Sequence, residues 1–207
     1  MTDGVPMFAQ ETTAELWAEQ QVRCVLVPYG QHVEVQLRNA DGSAFLRKTA
    51  PTRQAALNEA EYLRLLLDAA HRPATKRGLR PFALVIEDDR DNRDAFREAL
   101  RLSGMRTLGC SQGSEGLALA RELEPDLIVI DYRLPDLSGA EVCRQLRSEP
   151  DVASTPIIAI TASPEALRAE GCAADAVLSK PCQLETLIAA ARLFVRDLTA
   201  DANAQWA

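Results

Sequence analysis

The stretch DLIVIDYRLPDLSG, residues 126–139, decides the fold. It opens with an unbroken apolar run, Leu127 to Ile130, of the length and β-branched composition expected of a strand buried on both faces. The run ends at a carboxylate, Asp131. Pro135 and Gly139 then punctuate a loop. From Ser138 to Ser148 the period becomes helical, with Val142 and Leu146 inward.

The same alternation extends in both directions. Upstream, ALVI (83–86) is a second apolar run, followed by a helical pattern from Asp91 to Ser103. MRTLGC (105–110) reads as a weaker strand, and Ser114 to Leu123 as a helix capped by Ser114. Downstream come PIIAI (156–160), a short helix from Pro164, AVLS (176–179), and a helix from Leu184 to Leu198. Five strands alternating with five helices require crossover connections. They predict an α/β fold, a doubly wound five-stranded parallel sheet covered on both faces, over residues 81–198.

The chain has 207 residues, enough for one large domain or two small ones at about 100–200 residues each. Charge divides it. Residues 1–80 hold 10 basic and 9 acidic side chains; residues 81–207 hold 13 and 21. Between the halves runs HRPATKRGLRP (71–81), without apolar periodicity, which reads as an exposed linker. Its Arg72, Lys76, Arg77 and Arg80 read as solvated charges rather than as a docking site for an acidic partner.

Residues 1–70 read as a small α+β module. Glu11 to Gln21 is expected to be helical, with Leu16, Trp17 and Gln20 adjacent. Three strands are expected at VRCVLVPYG, HVEVQLRN and SAFLRKT, with a turn at Asp41-Gly42 and a helix from Thr52. The tail 199–207 is too short for a further domain.

The whole chain carries a formal charge of −7, and only 5% of its residues are aromatic. That disfavours general nucleic-acid binding, since the surface repels phosphates and offers few stacking platforms. No apolar run reaches the roughly 20 residues of a membrane span, and the N-terminus lacks the pattern of a signal peptide. The five cysteines, Cys24, Cys110, Cys143, Cys172 and Cys182, have no Cys-x-x-Cys spacing, and their odd number suits no disulfide framework. The expected compartment is cytoplasmic.

In a doubly wound sheet, sites form at the carboxyl ends of the strands. Those ends carry Glu87, Asp88 and Asp89, then Asp131, Thr161 and Lys180. A cluster of carboxylates opposes its own ionisation, and a hard divalent cation such as magnesium relieves it. Asp131 then becomes a candidate nucleophile for a phosphoryl group, with Lys180 and Thr161 placed to meet the phosphoryl oxygens. Lys180 is the sole lysine after residue 80, where arginine supplies every other cation.

These motifs, in this order and spacing, resemble the receiver domain of two-component response regulators, a CheY-like, flavodoxin-like fold. The resemblance covers residues 81–198. It implies Asp131 as phospho-acceptor, and magnesium held by Glu87, Asp88, Asp131 and the backbone carbonyl of Arg133. It implies Thr161 and Lys180 on the phosphoryl oxygens and a cis peptide bond at Lys180–Pro181. The implied partners are a sensor histidine kinase or histidine phosphotransfer protein and an output protein that the sequence does not name. No DNA or membrane partner is expected, and homodimerisation is left open.

Two features depart from the family pattern. Val177 stands where an aromatic switch residue is usual, three positions before Lys180, and the stretch from Thr161 to Lys180 is about three residues short, which truncates the helix there. They motivate an alternative, a receiver-shaped scaffold indifferent to phosphorylation. A phosphatase using an aspartyl-phosphate is disfavoured, because such enzymes usually place a second aspartate where this chain has Arg133.

Overall fold

The computed structural model describes residues 13–19, 21–70 and 80–195. The expected linker 71–80, except Arg80, and the tail 199–207 lie outside the described residues. The chain divides into two compact units at Leu67/Asp68.

The first unit is an antiparallel meander of four strands, β1 (Ala14–Glu19), β2 (Val22–Tyr29), β3 (His32–Arg38) and β4 (Ala44–Ala50), followed by helix α1 (Arg53–Ala70). Cys24, Leu26, Val35, Leu37 and Ala50 of the sheet pack with Ala56, Ala60 and Leu63 of the helix. Thr52 starts α1, its hydroxyl accepting the Ala55 N–H at 3.1 Å. The turn at Asp41-Gly42 forms as expected: the Asp41 carboxylate accepts the Ser43 N–H at 2.8 Å, and Gly42 has φ +85°.

The sheet has one strand more than the sequence reading gave it. Ala14–Glu19, expected to be helical, is β1. The register against β2 slips between Glu15 and Trp17, so that Leu16 is an extra residue in the ladder. Leu16 and Trp17, neighbours in sequence, both pack against the same core. A bulge of this kind abolishes the strand alternation and leaves adjacent apolar residues that read as a helix face.

The second unit is built around β5 (Phe82–Ile86), β6 (Arg106–Cys110), β7 (Leu127–Asp131), β8 (Ile157–Thr161) and β9 (Ala176–Ser179), all parallel, in the order β6-β5-β7-β8-β9. Helices α2 (Arg90–Leu102), α3 (Gly113–Leu123), α4 (Gly139–Ser148), α5 (Pro164–Ala169) and α6 (Leu184–Phe194) connect and cover them. Every residue of β5, β7 and β8 is buried, which is why their sequences run apolar up to the polar residue that ends β7 and β8, rather than alternating. α2 packs with α6, and α3 with α4. A Cβ on Gly116 would stand 2.3 Å from Ile86 Cδ1, so a glycine lets α3 approach the sheet.

The cap of α3 differs from expectation. The helix begins at Gly113, which places Ser114 inside it. The free N–H groups of Gly113 and Ser114 are instead taken by the Asp136 carboxylate, at 2.7 and 2.9 Å. The Ser114 side chain first, and then these N–H groups, hold the Asp136 carboxyl well below the usual carboxylate range. A cap donated from a loop 22 residues away satisfies the same orphan donors as a local one and leaves no local sequence signal. α5, only six residues long, is as short as the sequence spacing implied.

Candidate phosphoryl-transfer site

β5 and β7 are neighbours, and their connections leave in opposite directions across the sheet. This is the point where strand order reverses and a crevice opens at the carboxyl ends. Glu87 follows β5 directly and Asp131 is the last residue of β7. Both are buried, at 1% and 6% exposure. Asp88 is exposed beside them, and ligand oxygens of Glu87, Asp88 and Asp131 lie within 4.8 Å of one another. Asp89 belongs elsewhere: it caps α2, accepting the Asn92 N–H at 2.8 Å.

Lys180 enters from the end of β9. Its Nζ donates to both carboxylate oxygens of Glu87, at 2.9 and 2.8 Å, and to Asp131 Oδ2 at 2.8 Å. The peptide bond between Lys180 and Pro181 is cis, and the Lys180 N–H donates to the Thr161 carbonyl at 2.8 Å. Thr161 is the last residue of β8, one step beyond Ile160, which pairs with Asp131. Its hydroxyl accepts the Ser163 N–H at 3.0 Å. Arg133 lies two residues after Asp131, and its backbone bridges to Ser138 across the loop.

Burial raises the Glu87 carboxyl above its usual range; the bonds from Lys180 oppose this and the charge of Asp131 adds to it. Burial alone would lower the Lys180 ammonium, but its bonds to Asp131 and Glu87 outweigh that and raise it. One ammonium thus bonds two of three clustered carboxyl groups, which leaves acidic groups in excess at the rim. An all-oxygen donor set with that excess fits a small hard divalent cation.

A carboxyl whose folded-state pKa lies above its unfolded value costs stability wherever it is ionised. The cost is relieved as pH falls through the folded value. Glu87→Gln is accordingly expected to be more stable to urea than the natural chain at pH 7. That advantage should close as pH approaches about 4, where the unfolded glutamate also protonates. Paired denaturation curves at the two pH values check it.

Three residues support the site, two of which were not legible as part of it. Arg93 donates to the carbonyls of Glu87 and Asp88, at 2.6 and 3.1 Å, and so fixes the backbone that carries both carboxylates. Tyr132 hydrogen-bonds Glu170 through its hydroxyl. Gly139 donates its N–H to the Tyr132 carbonyl at 2.7 Å, closing the loop after Asp131. The glycine was visible within the quoted stretch. Arg93 carries no signal beyond lying in the first turns of α2.

An acidic cluster and a lysine at the switch point of a doubly wound sheet define a CheY-like α/β domain. Residues 83–192 match the response regulator receiver domain family. The chain belongs to that family. It is 35% identical over 119 residues to the polar-differentiation response regulator DivK of Brucella ovis, which covers 55% of this chain and 95% of that protein. Among solved structures, the chemotaxis response regulator CheY4 of Vibrio cholerae shares the fold, with 24% identity and a TM-score of 0.53 over 56% of this chain and all of that one. The receiver domain of a sensor histidine kinase from Pseudomonas aeruginosa is similar at 26% identity and a TM-score of 0.53, over 56% of this chain and 98% of that one. That structure has a magnesium ion coordinated in its active-site cleft. Receiver domains are generally signalling domains rather than enzymes. Among the described residues, no helix is long and apolar enough to cross a membrane.

Proposed function

We propose that this protein is a cytoplasmic response regulator of a two-component phosphorelay, in which Asp131 accepts a phosphoryl group from a phosphohistidine. The donor is a sensor histidine kinase or a histidine phosphotransfer protein. The observation that carries the reading is the Lys180 ammonium held 2.8 Å from both Glu87 and Asp131, at the rim where Asp88 and Thr161 also lie.

The roles follow from the chemistry of each group. An Asp131 carboxylate oxygen attacks phosphorus, the P–N bond breaks, and the leaving imidazole keeps the electron pair and takes up a proton. Lys180 moves from its carboxylate partners to a phosphoryl oxygen, and the Thr161 hydroxyl donates to another. Glu87, Asp88, Asp131 and the Arg133 carbonyl would hold magnesium, which when bound offsets charge on the transferring group. Slow loss of the phosphoryl group to water returns Asp131, so the protein signals through contacts rather than by turnover. The output partner and any homodimer meet it through such contacts, with no DNA or membrane involved. Residues 1–70, a small α+β module, and 81–198, the receiver domain, act as separate domains joined by 71–80, ahead of the tail 199–207.

A second reading, a scaffold indifferent to phosphorylation, is favoured by Val177 in β9 and the six-residue α5, both on the side where the family's switch movement is expected. One experiment separates the two. The full chain is incubated with acetyl phosphate and magnesium, and with beryllofluoride and magnesium. Gain of one phosphoryl group by intact mass, absent when the metal is chelated, together with a changed elution volume under beryllofluoride, is expected. Mass gain with no change in elution or partner binding favours the scaffold. No gain where a control receiver is labelled overturns the phosphorelay reading.

A further inference from the structure

Arg93 meets the site through its backbone. It is half-buried at the end of the first turn of α2, and its Nη1 donates to the carbonyls of Glu87 and Asp88, at 2.6 and 3.1 Å. β6 holds the same corner from the other side, where the Cys110 carbonyl accepts the Glu87 N–H at 3.1 Å. The peptide that carries the Glu87 carboxylate is therefore bonded at both its N–H and its carbonyl.

What steers the guanidinium is Gly109 of β6, which pairs with Val85 of β5. A Cβ there would stand 3.1 Å from both Cγ and Cδ of Arg93, and 2.6 Å from Cδ of Arg97. Arg93 and Arg97, one turn apart on α2, thus lay their stems across the glycine. Their heads then part: Arg97 Nη1 turns to Asp94 at 3.5 Å, while Arg93 reaches the loop after β5. The φ of Gly109 is not positive, so its backbone does not call for a glycine. The room taken by the two stems does.

We propose that Arg93, seated on Gly109, is a positioning residue that sets the affinity of the Glu87, Asp88 and Asp131 cluster for its divalent cation. The inference rests on reading that cluster as the magnesium site of a phospho-acceptor. Two effects of opposite sign compete. A guanidinium charge beside a cation site repels the cation, so its removal would tighten binding. A group that orients the ligands supports binding, and its loss typically costs about 10–100-fold in metal affinity. The geometry favours positioning, because Nη1 bonds peptide carbonyls and takes no carboxylate oxygen from the cluster.

Magnesium is titrated calorimetrically into the full chain without a phosphoryl donor. Arg93→Ala is expected to weaken binding about tenfold or more, and Arg93→Lys to recover part of the loss, since an ammonium still donates. Amide exchange at 87–89, measured without metal, should be faster in Arg93→Ala. Gly109→Ala shifts the stems by tenths of an ångström and should cost about threefold. The double variant should match Arg93→Ala within about twofold, since the glycine acts through the arginine. The magnesium concentration for half-maximal phosphoryl uptake from acetyl phosphate should rise by the same factors. Unchanged or tighter magnesium binding in Arg93→Ala would overturn the proposal, even with a lowered urea midpoint. So would losses that multiply in the double variant. These losses in a chain that takes up no phosphoryl group would support the positioning role and overturn the phosphorelay reading; a natural chain that binds no magnesium would overturn both.

Discussion

Asp131→Asn is expected to take up no phosphoryl group from acetyl phosphate and magnesium while keeping its fold. Removing a covalent nucleophile costs more than about a thousandfold where such losses have been measured. An asparagine amide has no charged oxygen to attack phosphorus. The fold survives for a separate reason. Asp131 is 6% exposed and accepts from Lys180 at 2.8 Å, a bond an amide oxygen still accepts. The substitution also removes a negative charge that raises the Glu87 carboxyl. Intact mass should show no added phosphoryl group, and the urea midpoint should equal or exceed that of the natural chain. A phosphoryl group retained at wild-type rate would place the acceptor elsewhere and overturn the assignment.

Gly139→Ala is expected to be the most damaging single-methyl change near the site. Its Cβ would lie 2.5 Å from the Asp131 carbonyl oxygen and 2.8 Å from Tyr132 Cα. Both atoms are backbone, so no side chain can turn aside. The N–H of Gly139 is bonded to the Tyr132 carbonyl at 2.7 Å, which holds the two segments together. Overpacking against fixed neighbours costs about 1–3 kcal/mol, and this site belongs at the upper end. The loop that must shift leaves β7 at Asp131 and carries the Arg133 carbonyl. A displacement near 1 Å at reacting groups is worth about a hundredfold in rate. A urea midpoint clearly below that of the natural chain, with phosphoryl uptake slowed at least tenfold, is the expected pair of results. Normal uptake in a destabilised chain would show that the loop does not position the site.

The site was legible where residue type and strand end coincide. Glu87, Asp131, Thr161 and Lys180 each close or follow a strand, so a parallel sheet brings them to one rim without further information. Asp89 showed the limit of that rule: it stands in the same acidic run but caps α2. Arg93 and Tyr132 act through hydrogen bonds to backbone carbonyls and to a distant side chain, which no spacing announces.

By itself, the sequence determined the doubly wound sheet and which residues stand at its rim. Burial on both faces demands unbroken apolar strands, and buried charges must stand at their ends. Only the tertiary structure decided the fourth strand of the first unit and the cap of α3 by Asp136. In each case the partner lies outside the local sequence: a neighbouring strand that absorbs a bulge, and a carboxylate 22 residues away. Local periodicity reports which face of an element is buried. It does not report which distant group comes to cover it.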